Sequence, residues 1–160
     1  DSGKENFQLG KLDLSAVVRE TTEKMAFRAQ KYGIKLASDI EPGILIWGDR
    51  EKMIQVIVNL LDNAFKFSPA SSVVEVKLRR DAKTALLSIA DQGIGIPGNE
   101  AEKVFERFYR AENARNITGT GLGLSIVKYI IEEHKGTIRL EPGIEKGTVA
   151  HVRLPVFQQT

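Results

Sequence analysis

The stretch between Asp49 and Phe67 constrains this chain more than any other. It reads as one long helix, from about 50 to 66, with Asp49 placed to cap it. Its polar positions are Lys52, Gln55, Asn59, Asp62, Asn63 and Lys66. At about 100° per residue they fall within an arc roughly 100° wide. The rest of the circumference is Met53, Ile54, Val56, Ile57, Val58, Leu60, Leu61, Ala64 and Phe65. A helix with so much apolar surface needs a sheet to lie on.

The strands for that sheet are legible on both sides. Residues 34–40 read as a strand that Pro42 and Gly43 break. After the loop 68-SPASS-72, residues 73–80 and 84–91 form a hairpin across Asp81–Lys83. Residues 137–141 and 147–154 are two further strands, joined by a turn with Pro142 and Gly143. Helices are expected at 15–31, with Ser15 as a possible N-cap, at 99–108, and from about 122 to 135, stopping at Gly136. Hairpins mixed with helices predict an α+β fold. It would be a two-layer sandwich with one mixed sheet and helices on one face.

A chain of 160 residues is about one domain. It has no cysteine, which excludes a disulfide scaffold and a thiolate zinc site. The net charge is +2 with the two signs interleaved, so nothing marks a nucleic-acid surface. No apolar run approaches the ~20 residues that cross a bilayer, and no secretory leader is evident, so the domain itself should make no membrane contact. Residues 1–11 are polar and unpatterned, and read as a linker or the tail of a preceding element.

Three places carry chemistry. In 84-TALLSIAD-91, Ala85, Leu87 and Ile89 share a strand face, and Asp91 falls on it. This acid either starts a solvated turn or sits at the mouth of the core, where it needs hydrogen-bond donors. Gly93 and Gly95 beyond it permit positive φ and close backbone approach. On the long helix, Asn59 and Asn63 stand at i and i+4, with Lys66 one turn on. A wet face would favour Lys, Glu or Gln, whereas Asn is a mediocre helix former. An amide oxygen suits Mg²⁺, which keeps several waters and shares phosphate oxygens, and a lysine suits the phosphates. A plain solvated face remains the other reading. Third, 119-GTGLGLS-125 puts three alternate glycines before a helix whose N-terminus favours anions. A P-loop is excluded because no Lys follows the glycines, and a Rossmann loop because no strand precedes them. Taken alone, the glycines could equally be a hinge.

In this order the pieces resemble the catalytic ATP-binding domain of the sensor histidine kinases, in the Bergerat-fold ATPase superfamily. The resemblance covers roughly residues 11–155. 59-NLLDNAFKFS-68 is similar to the N box, 91-DQGIGIP-97 to the G1 box, 105-FERFYR-110 to the F box and 119-GTGLGLS-125 to the G2 box. It implies a mainly antiparallel sheet of about five strands, about three helices and an ATP lid. It also implies a junction at 1–11, a catalytic domain at 12–157 and a tail at 158–160.

By the same resemblance, Asp91 would accept a hydrogen bond from the adenine amino group, beside Gly93, Gly95 and Ile96. Asn63 would ligate Mg²⁺ and Asn59 would support that site. Lys66 and Arg110 would touch phosphates, which makes Asn59, Lys66 and Arg110 the catalytic set. Residues from about 98 to 118 would form the lid, and Gly119, Thr120, Gly121, Leu122, Gly123 and Leu124 would close over the phosphates. Thr148 would lie beside adenine. Phe67 stands where the family often has Tyr, so ring packing survives without a hydroxyl.

The family phosphorylates a histidine on a dimerising helical hairpin, usually followed by an acid. Neither histidine here fits. His134 precedes Lys135 at a helix end, where the dipole favours a cation, and reads as structural. His151 alternates away from Ala150, Val152 and Leu154 and reads as exposed. The chain is therefore expected to bind ATP and Mg²⁺ and to donate phosphate to a hairpin elsewhere in a homodimeric parent. A response regulator would act downstream. The domain would be cytoplasmic, as the intracellular part of a membrane-bound sensor. Other classes stay open. One is a nucleotide-binding module without transfer, and another is a serine kinase of the anti-sigma type. A hydrolytic clamp like gyrase or the heat-shock chaperones uses Glu where Asn59 stands, and an amide cannot take the proton.

Overall fold

The computed structural model describes residues 6–93, 123–143 and 146–158. Along these the elements run β1 (Gly10–Asp13), α1 (Leu14–Lys31), β2 (Lys35–Ile40), β3 (Leu45–Gly48), α2 (Arg50–Phe67), β4 (Val73–Asp81), β5 (Thr84–Ala90), α3 (Gly123–Glu133), β6 (Thr137–Pro142) and β7 (Thr148–Pro155). The expected helix at 99–108 lies outside the described residues.

Five strands form one sheet in the order β2-β4-β5-β7-β6. Only β2 and β4 are parallel; the other three pairings are antiparallel. The expected two-layer α+β sandwich is observed. Strand alternation sets its faces. Val74, Val76 and Leu78 of β4, Ala85, Leu87 and Ile89 of β5, and Ala150, Val152 and Leu154 of β7 are all buried on one face. The helices pack on that face. Helix α2 contributes Met53, Val56, Ile57, Leu60, Leu61, Ala64 and Phe65. Fully burying each large side chain among these is worth about 1.5–3 kcal/mol.

Two local expectations are corrected. Gly10 and Lys11, read above as junction, are the first half of β1, which pairs with β3 from Gly10↔Gly48 to Asp13↔Leu45. Helix α1 is capped by Asp13, whose side chain accepts from the Ala16 N–H, and not by Ser15. The Ser15 hydroxyl is used elsewhere. It donates to the Glu41 carbonyl at 2.6 Å and accepts from the Ile44 N–H at 3.0 Å, closing the turn between β2 and β3. Asp49 caps α2 as expected, accepting from the Lys52 N–H.

Candidate functional site

Strand β5 delivers Asp91 to one end of the sandwich, on the helix side of the sheet. Its backbone N–H donates to the Thr148 carbonyl at 2.9 Å, extending the β5–β7 ladder by one residue. Its carboxylate is then gripped from two directions. The Gly93 N–H donates to Oδ1 at 2.8 Å and the Thr148 N–H donates to the same oxygen at 3.1 Å. Among the described residues both bonds fall on Oδ1, which orients Oδ2 for another donor. Burial pushes the Asp91 carboxyl above the ordinary range, although the Gly93 and Thr148 N–H groups pull it down. The acid is a half-buried, aimed acceptor and not a solvated turn residue.

Two glycines make this grip possible. Gly147 has φ +83°, and a Cβ there would lie 2.2 Å from the Asp91 carbonyl oxygen. A Cβ on Gly93 would lie 2.2 Å from the Phe67 carbonyl oxygen. Gly93 therefore serves by close approach and not by the positive φ that its motif suggested. Its contact brings the Asp91 loop against the C-terminal end of α2.

That end carries the asparagine row. Asn59 and Asn63 are half-buried, Lys66 is exposed, and Phe67 is the last, half-buried residue of α2. Asn59 to Lys66 is seven residues, about 10 Å of helix. Neither amide has a hydrogen bond to another described residue. An unpaired, half-buried amide oxygen at Asn63 fits a hard cation such as Mg²⁺, which takes neutral oxygens beside water and phosphate. Asp62, in the same arc, is turned away: both its oxygens are bonded by Arg28 Nη1 of α1, at 2.7 and 2.8 Å. The Ser68 hydroxyl, next to Phe67, is buried with no partner among the described residues.

Helix α3 opens at Gly123, where a Cβ would meet nothing within 4 Å, and the half-buried Leu124 packs against the core. Thr148 is half-buried on the same face as Ala150. The structure thus brings Asp91, Gly93, Thr148 and the end of α2 together at one end of the sandwich. Gly95, Ile96, Arg110, Gly119, Thr120, Gly121 and Leu122 lie outside the described residues, as does most of the expected lid. Sequence reasoning missed Gly147 and Gln92. The Gln92 Oε1 accepts from the Val73 N–H at 2.9 Å and ties the Asp91 loop to β4. The pair Gly147-Thr148 at the head of β7 was the available signal for the first, and none pointed to the second.

Both histidines are engaged elsewhere. His134 is 4% exposed. Its Nε2 accepts from the Asp49 N–H at 3.0 Å, which leaves the ring proton on Nδ1 to meet the Ile130 carbonyl at 2.8 Å. This neutral tautomer, and not a dipole-stabilised cation, is what the helix end holds. His151 lies on the outer sheet face, as the alternation predicts, but is half-buried and sits 2.8 Å from Glu141 Oε1.

Residues 48–158 match the family described as "Histidine kinase-, DNA gyrase B-, and HSP90-like ATPase". The sensor histidine kinase RppB of a Synechocystis strain is 33% identical over 90% of this chain and 32% of its own length. A solved mycobacterial sensor histidine kinase, MprB, superposes with a TM-score of 0.82 at 33% identity, covering 94% of this chain and 99% of that one. Full-length ShkA, solved in complex with AMPPNP, gives 0.82 at 25% identity over 98% of this chain and 33% of that one. The chain spans about a third of the length of the curated relatives it matches.

Proposed function

The chain belongs to the histidine kinase-, DNA gyrase B- and HSP90-like ATPase family, as an ATP-binding catalytic domain of the sensor histidine kinase kind, and from that premise we propose that it transfers the γ-phosphate of Mg-ATP to a histidine on a separate phosphoacceptor hairpin of its parent protein. The observation that carries this reading is the Asp91 carboxylate, held through one oxygen by two backbone N–H groups. Its other oxygen would take the adenine amino group, and Thr148 would lie beside the base.

Phosphoryl transfer is mostly positioning and charge stabilisation. Asn63 would hold Mg²⁺ with Asn59 in support, and the ion, when bound, would neutralise charge on the phosphate oxygens. Lys66 would bind the phosphates from the same helix face. Arg110 and the glycines from 119 to 123 complete the set by family resemblance.

The nucleophile belongs elsewhere. His134 is buried and its ring nitrogens are both occupied. It also stands 11 residues beyond Gly123, about 17 Å along the helix. His151 faces away from the helices. The partners would be the parent's own dimerising hairpin and a downstream response regulator, with the domain working in the cytoplasm. Among the described residues no helix is long and apolar enough to cross a membrane.

The test is incubation with γ-labelled Mg-ATP. The chain by itself should gain no acid-labile phosphate, and adding the parent's histidine-bearing hairpin should produce it on the hairpin. Stoichiometric acid-labile label on the chain itself, abolished by His134→Ala or His151→Ala, would overturn the division of labour.

A further inference from the structure

Asp62 is an odd residue for a site that binds a polyanion. It stands one position before Asn63 and four before Lys66. An acid four residues N-terminal to a lysine is the orientation that pairs best on a helix. Such a pair would neutralise Lys66 and draw its ammonium off the phosphates. It does not form. One guanidinium nitrogen of Arg28, on α1, bonds both Asp62 oxygens at 2.7 and 2.8 Å. Lys66 remains exposed and without an ion pair among the described residues. In α3, by contrast, Lys128 lies 4.0 Å from Glu132, an i,i+4 pair in the less favourable orientation. In α2 the acid of the favourable pair is bonded instead to a third residue.

We infer that Arg28 is a positioning residue for phosphate binding: by holding Asp62 it keeps Lys66 free for the nucleotide. The inference rests on the phosphate role proposed for Lys66. Arg28 stays charged at every working pH, so the hold does not depend on its protonation. Removing it would release Asp62 to Lys66 and so neutralise the charge that Lys66 offers to the phosphates.

The experiment is calorimetric binding of ATP to the chain, with adenosine measured by competition, at low and high salt. Lys66→Ala should weaken ATP and spare adenosine; if ATP affinity is unchanged, the phosphate role of Lys66 falls, and the inference with it. Arg28→Ala should weaken ATP by about two-fold at low salt, less at high salt, and leave adenosine unmoved. Adding Asp62→Asn to Arg28→Ala should restore wild-type ATP binding, and Arg28→Lys should keep most of it. In the Lys66→Ala background Arg28→Ala should cost clearly less. A general loss of packing would weaken adenosine equally and would not be rescued by Asp62→Asn. If Lys66→Ala weakens ATP but Arg28→Ala does not, or if Asp62→Asn fails to restore it, Arg28 has no positioning role. The Arg28–Asp62 pair is solvent-exposed, with side chains 50% and 21% accessible, so these variants should fold.

Discussion

The two ends of α2 are built to opposite rules. At the first turn the capping groups are met inside the protein. The Asp49 carboxylate accepts from the Gln8 and Lys52 N–H groups, while its own N–H donates to His134. Phe7 lies edge-on to Tyr129 and His134, with the Lys52 ammonium 5.3 Å over its ring. At the other end, counting only bonds among the described residues, Asn59, Asn63 and Lys66 have no such partners, the buried Ser68 hydroxyl has none, and Asp91 uses one oxygen of two. Unmet buried polar groups cost stability, about 1–3 kcal/mol each. Satisfaction, not polarity, separates the structural end of α2 from the functional one. Local rules give way where a ligand is to complete the network.

Four variants probe this contrast. Asp91→Asn should have the largest effect. The amide oxygen can keep both backbone bonds, but its NH₂ would then face the base. Preference for ATP over GTP should fall by on the order of a hundred-fold, read by calorimetry. The folded protein should be no less stable at neutral pH. Burial raises the Asp91 carboxyl above its unfolded value, so its charged form costs stability there, and that cost fades only as pH falls through the raised value toward the unfolded one.

His134→Ala should do the reverse. It leaves the Asp49 N–H unpaired and opens a cavity beside Phe7. Denaturant titration should show a loss of about 3 kcal/mol, with nucleotide specificity in the folded fraction intact. Next comes Asn63→Ala, which should remove the Mg²⁺-dependent part of ATP affinity, at least about ten-fold, at little cost to stability. If it binds Mg-ATP as wild type does, the metal belongs to another residue, with Asn59 next to test.

The smallest effect is the pH behaviour of Asp49. Burial opposes its charge, but the N–H groups of Gln8, Lys52 and Glu51 outweigh that and hold its pKa below the ordinary value. Its contribution is therefore full above the unfolded pKa of about 3.9 and is lost as pH falls through the lower folded value. Asp49→Asn can still cap the helix through its one amide oxygen but loses the acceptor for the Gln8 N–H; it should remove about 1 kcal/mol of stability at pH 7 and flatten this acid limb of the stability curve.

Much of this was legible because it is periodic. The arc on α2 and the alternation of Ala85, Leu87 and Ile89 follow from local spacing, and they placed both the core and the Asn59–Asn63–Lys66 row. What escaped depends on partners far along the chain. Strand β1 is four residues long and exists only because β3 pairs with it. Asp13 and Ser15 are both fair caps by type; Ser15 is diverted to a turn at Glu41 and Ile44, 26 to 29 residues away. Thr148 completes the Asp91 grip from 57 residues downstream, with Gly147 beside it. Arg28 meets Asp62 across 34 residues, between two helices whose facing surfaces no single-helix pattern reveals.

The most direct test of the contrast is a titration of the ¹⁵N-labelled chain with Mg-ADP, followed by backbone amide chemical shifts. Both ends of α2 are reported in one experiment, on one folded protein. The largest changes should fall on Asn63, Lys66, Asp91, Gly93, Gly147 and Thr148, with Gln8, Asp49, Lys52 and His134 nearly still. Changes centred on Asp49 and His134, with the Asp91 loop and the Asn59–Lys66 segment unmoved, would contradict the account.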